Sequence, residues 1–147
     1  MYVTQINEKT VKGIKVRTKN ADEMSPDTSK ISGLWHRFYR DIAPTLSKEA
    51  SILGVYCNYE SDFTGEFEEL AGSDMIKGDG AVDSVTIKGG RYLVFEGNGS
   101  MPQTVIDTWS KIWEYFGSDN PEYTRAYTTD FESYKSDSEI QIFIAIE

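Results

Sequence analysis

Hydrophobic and polar residues interleave over residues 10–18, with Val11, Ile14 and Val16 set among Thr, Lys and Arg. The pattern predicts a β-strand in which Gly13 marks a bulge. A polar, turn-like stretch over 20–28 follows. Ile31, Leu34, Trp35, Phe38 and Ile42 then recur at helical spacing, which predicts a helix with one apolar face, capped by Ser29 or Ser32 and stopped by Pro44. Residues 50–60 return to strand alternation and place Leu53, Val55, Cys57 and Tyr59 on one face. Asp62, Phe63, Thr64 and Gly65 carry turn chemistry, with a second short strand expected over 66–71. The polar, glycine-rich residues 72–80 read as a loop.

The order then repeats. Residues 84–95 form two extended runs broken at Gly89 and Gly90, with Tyr92, Leu93, Val94 and Phe95 as the core strand. Ser100, Met101 and Pro102 open a helix, proline being favoured in the first turn. Val105, Trp109, Ile112, Trp113 and Phe116 form its apolar face, and Gly117 is a natural end. Two strands follow over 125–134 and 139–146, the last strongly alternating at Ile140, Ile142, Ile144 and Ile146. Trp35 and Trp109 stand 74 residues apart on the two helices. Two aromatic-Glu-Ser triplets, Tyr59-Glu60-Ser61 and Phe131-Glu132-Ser133, stand 72 apart on the strands that follow.

Paired features in the same order predict an α+β fold of two β-α-β-β units related by a pseudo-twofold axis, with two main helices covering antiparallel sheet. The 147 residues suit one domain, with repeat halves of about 1–75 and 80–147. A seam between such halves is a natural ligand cleft. Glutamates and aromatics from each half would converge there; alternatively, the tryptophans are plain core and the glutamates solvated strand ends.

Composition sharpens this picture in one respect. The chain carries 9 Tyr, 7 Phe and 3 Trp, enough to fill a core and also to wall a pocket. Its net charge of −9 disfavours direct contact with nucleic acid or an anionic membrane, and favours a cationic ligand. Cys57 is the only cysteine and His36 the only histidine, so thiol clusters, His-rich metal sites and cofactors are not expected. Gly78-Asp79-Gly80 and Gly97-Asn98-Gly99 lack the surroundings of phosphate loops, and Asp74, Asp79 and Asp83 do not match calcium-loop spacing. The N-terminal residues lack the pattern of a secretion signal and the apolar run 142–146 is too short to span a bilayer, so a cytoplasmic protein is expected.

The stretches TVKGIKVR (10–17), ISGLWHRFY (31–39), ILGVYCNYESDFTG (52–65), RYLVFEG (91–97), TWSKIWEYF (108–116) and TDFESYK (129–135) occur in an order that resembles the GyrI-like family. These are the effector-binding domains at the end of some AraC-type and multidrug-sensing transcription regulators, and the chain is most similar to their free-standing integron-associated members. The resemblance implies a doubled β-α-β-β fold with a pocket between the halves. There a glutamate among aromatic rings meets the charge of a lipophilic cation.

Carried over by position, that glutamate is Glu132, with Glu60 its first-half counterpart. Tyr56, Tyr59, Trp35, Trp109, Trp113, Tyr127 and Tyr134 are the candidate walls. Only residues 1–9 precede the first expected strand, leaving no room for a DNA-reading helix-turn-helix. Control of DNA would then require a DNA-binding regulator protein as partner. An enzymatic alternative has Glu132 acting as acid or base, assisted by a tyrosine hydroxyl, in hydrolysis of reactive small molecules. A third class is a pure interaction module.

Overall fold

The computed structural model describes residues 1–76 and 82–147. The first half supplies β1 (Tyr2–Ile6), β2 (Lys9–Lys19), α1 (Asn20–Glu23), α2 (Ile31–Asp41), β3 (Ile52–Cys57) and β4 (Glu66–Ser73). The second supplies β5 (Asp83–Ile87), β6 (Gly90–Asn98), α3 (Gln103–Phe116), β7 (Arg125–Ser136) and β8 (Glu139–Ile146). All strands of the described residues pair antiparallel in one eight-stranded sheet, in the order β1-β6-β8-β7-β3-β4-β2-β5. Replace each strand by its counterpart in the other half and that order reads the same backwards. The pseudo-twofold axis therefore passes between β3 and β7.

Each half lends its first strand to the other. β1 pairs with β6, and β5 pairs with β2. β1 escaped the sequence pattern because it is a short edge strand whose residues are mostly exposed, so no buried face imposes alternation on it.

Three apolar clusters hold the sheet. Val11, Leu53, Val55, Leu70, Ile87 and Phe131 meet on the face away from the helices, where the Phe131 and Phe143 rings stack at 4.4 Å. β5 touches β3 and β7, which are not its sheet neighbours, so that face curls over its own core. On the other face α2 packs on β2 and β4 through Leu34 and Phe38, and α3 packs on β6 and β8 through Ile112. Gly97 lets α3 lie close: a Cβ there would collide with the Thr108 hydroxyl and the Thr104 methyl.

Several local expectations need correction. Neither Ser29 nor Ser32 caps α2. Glu23, on the single turn of α1, does so instead, its carboxylate accepting from the backbone N–H of Lys30 (2.9 Å) and Ile31 (3.1 Å). Gly13 is not bulged; β2 keeps unbroken register through it, paired to Gly72 on one side and Asp83 on the other. Asn58, at φ +51°, ends β3, so Tyr59 leaves the face that carries Leu53, Val55 and Cys57. Gly72 and Ser73 belong to β4, while Gly78, Asp79 and Gly80 of the expected loop lie outside the described residues.

Phe38 has no exposed surface beneath α2, whereas Trp113 on α3 is 50% exposed. Phe38→Ala should therefore cost about 3–5 kcal/mol in urea denaturation, while loss of an exposed ring elsewhere on the helices costs far less. A loss below about 1 kcal/mol for Phe38→Ala would contradict the packing of α2.

Candidate functional site

Because each helix covers the outer strands of its own half, the central β3–β7 pair is left open between them. It floors a cleft with two lobes. The larger encloses about 940 Å³ and is walled by Trp35, Tyr39, Tyr56 and Tyr134, with Glu69 and Glu132 in its lining. The smaller encloses about 240 Å³ among Tyr59, Phe67, Trp109, Trp113 and Arg125. Ile31, Tyr56, Val105 and Ile106 border both, so the lobes are one continuous groove between α2 and α3.

Glu132 lies in mid-β7, opposite Gly54 of β3, and is 1% exposed. Three neutral aromatic donors hold its carboxylate. The Trp109 indole donates at 2.7 Å and the Tyr56 hydroxyl at 2.9 Å, both to Oε2, and the Tyr134 hydroxyl donates at 3.0 Å to Oε1. Glu69 on β4 is 0% exposed and lines the same lobe. Among the described residues it has one long bond, from the Trp35 indole to Oε1 at 3.3 Å, and its Oε2 has no partner. Each helix thus points a tryptophan N–H down onto a glutamate of its own half. Gly54 makes room for both: a Cβ there would stand 2.6 Å from Glu132 Oε1 and 2.9 Å from the Trp35 ring.

Burial pushes the Glu69 carboxyl well above the usual carboxylate range, and the nearby charge of Glu132 pushes it further. Burial also raises Glu132, opposed by its bonds from Trp109, Tyr56 and Tyr134. Of the two, Glu69 has the poorer donors. The hydroxyls of Tyr56 and Tyr134 are driven up by burial and by Glu132, so both stay protonated as donors.

The candidate walls divide. Trp35, Tyr56 and Tyr134 line the large lobe; Tyr56, Tyr59, Trp109 and Trp113 line the small one. Tyr127 lines neither. β7 shifts register between Arg125 and Asp130, where Tyr127 sits at φ +53°, and its ring lies behind Tyr59 under the Arg125 guanidinium at 4.4 Å. Glu60 is exposed on the turn after β3, receiving the Glu66 backbone N–H at 3.2 Å, and does not reach the cleft. The first-half carboxylate is Glu69 instead.

Strand period carried the signal that would have found it. Phe67, Glu69 and Ala71 share one side of β4, a lone carboxylate between two apolar residues. Arg125 was also missed. Its guanidinium donates to Asp130 Oδ2 at 2.7 Å, and Tyr59 donates to the same oxygen at 2.5 Å. The other oxygen, Oδ1, accepts the Ala145 backbone N–H at 2.8 Å where the ladder is interrupted. That network closes the floor of the small lobe.

The two glutamates also set a pH response. Their folded values are raised above the unfolded value of about 4.3, so the stability they contribute is complete below it and is lost as pH rises through the folded values. Unfolding free energies from urea titrations at about pH 5 to about pH 9 should fall for the wild type, with a limiting slope of about 1.4 kcal/mol per pH unit for each proton released. Glu69→Gln should flatten that limb. Parallel profiles for the two proteins would show that Glu69 ionises as freely as a surface carboxylate.

Among known proteins, the chain is 44% identical to the integron cassette protein VCH_CASS2 from the mobile metagenome of Vibrio cholerae. That crystal structure superposes with a TM-score of 0.94 over 99% of this chain and 95% of its own. SAV2435, solved with bound tetraphenylphosphonium, shares the fold at 20% identity and TM-score 0.74, over 99% of this chain and 93% of its own. YobU of Bacillus subtilis (strain 168), a candidate transcriptional regulator, is 28% identical over 160 residues, covering 99% of this chain and 97% of YobU. The Cass2 family model, described as integron-associated effector binding protein, matches residues 3–146. With nearly its whole length so matched, the chain belongs to the Cass2 family of integron-associated effector binding proteins.

Proposed function

We propose that this protein binds small lipophilic cations in the groove between α2 and α3, with Glu132 as the charge anchor and the aromatic rings as walls. The observation that carries the reading is the state of Glu132: buried, lining a cavity, and held by three donors that bring no positive charge of their own. Such a carboxylate keeps unspent attraction for a cation, and low polarity around it strengthens that attraction. Rings of Trp35, Tyr56 and Tyr134 add cation–π contacts worth roughly 0.5–2 kcal/mol each. The tetraphenylphosphonium bound by SAV2435, a protein of the same fold, is a ligand of this chemistry.

Titration of tetraphenylphosphonium against wild type and Glu132→Gln tests this. The substitution keeps the shape and removes the charge. A charge-assisted contact contributes about 1.5–3 kcal/mol, so affinity should drop roughly ten- to a hundredfold. Triphenylphosphine oxide, neutral and similarly shaped, should bind both proteins equally. Undiminished affinity of Glu132→Gln for the cation would make the rings the binding element and the glutamate a bystander.

A further inference from the structure

The second carboxylate changes what binding a cation entails. Glu69 and Glu132 line one lobe and both crowd the space above Gly54. The donors that hold them are neutral: Trp35 for Glu69, and Tyr56, Trp109 and Tyr134 for Glu132. Two buried carboxylates so placed do not both ionise, because each charge raises the cost of the other. Nor does the pair hold two protons readily, since Glu132 would then waste three donors that favour its anion.

The unpartnered Oε2 of Glu69 places the proton, because an unpaired buried carboxyl costs far less than an unpaired buried carboxylate. Other charged groups stand at the edge: Lys48 and Asp137 at the rim of the large lobe, and Glu23 of α1 and Arg125 of β7 bordering the small one, the Arg125 charge being paired with Asp130 at 2.7 Å. Tyr39, Tyr56 and Tyr134 face the pair as neutral hydroxyls. On the α3 side the lobe is bordered by the uncharged Val105 and Ile106.

We propose that Glu69 and Glu132 form one acid site that holds a single proton when empty and releases it when a lipophilic cation enters. The O–H bond of the Glu69 carboxyl breaks, its proton passes to solvent buffer, and the ligand's positive charge takes its place. Charge in the cleft is thereby conserved, and entry of a cation is an exchange. Neutral ligands have nothing to exchange and leave the proton where it is. The proposal rests on the cation-binding reading above and makes Glu69, rather than Glu132, the source of the pH dependence of affinity.

Two measurements test it. Infrared difference spectra of the ligand-free protein near neutral pH should contain the carbonyl band of a protonated carboxyl, and Glu69→Gln should lack that band. Calorimetric titration with tetraphenylphosphonium, which carries a fixed charge and no titratable proton, is then run in phosphate and in Tris, buffers of different ionisation enthalpy. Wild type should release about one proton per cation bound and lose about tenfold in affinity per unit fall in pH. Glu69→Gln should bind the cation and release almost none. Tight wild-type binding with no proton release, or a spectrum without the band, overturns the exchange. Absence of any binding overturns the cation-binding reading itself, and the infrared band still decides whether the pair holds its proton. Should Glu69→Gln fail to fold, the wild-type proton count and spectrum decide alone.

Discussion

Holding carboxylates away from water is the constraint around which this molecule is organised. A buried carboxylate is tolerated only where donors replace the lost hydration, and here the donors come from both layers. Tyr56 and Tyr134 rise from the central strands, and Trp109 reaches down from α3 to the same side chain. The helices must therefore stand at a height and a spacing that let their indoles meet the sheet. Gly97 under α3 and Gly54 between the glutamates are the points where a larger residue would break that arrangement.

Each half supplies one such device, on strands that the pseudo-twofold does not interchange: Glu69 on β4 and Glu132 on β7. In the first half the Trp35 indole meets Glu69 at 3.3 Å and little else does. In the second half Trp109 meets Glu132 at 2.7 Å with two tyrosines in support. In the exchange proposed above, the donors sort the protonation: the well-supported carboxylate carries the charge and the poorly supported one the proton. Symmetric halves with equal support would leave the charge divided between two places. The groove likewise has a wide lobe that contains both carboxylates and a narrow lobe beside the Arg125–Asp130 pair.

Strand exchange secures the seam. Since β1 completes the second half and β5 completes the first, neither half is a closed unit, and the β3–β7 pair between them is fixed from both ends. A groove over such a seam has its floor set by strand pairing and its walls built of side chains on two separate helices. This suits a family whose members bind effectors.

Much of this was legible in the sequence where one physical rule governs a segment alone. The alternation of Ile140, Ile142, Ile144 and Ile146 specified β8, and the spacing of Leu34, Trp35 and Phe38 specified α2, because burial of one face imposes its period locally. The paired tryptophans pointed to a duplicated fold, and Glu132 stood out among aromatics. What the sequence could not decide depended on residues distant along the chain. Glu60 and Glu69 are both glutamates near aromatic residues; the left-handed turn at Asn58 sends one into solvent, and the register of β4 sends the other beneath Trp35. Tyr127 looked like a wall until the register shift in β7 turned it behind Tyr59. Local periodicity determines which residues are apolar partners, whereas the meeting of two carboxylates is set by strand pairing across the seam, a contact that no single segment encodes.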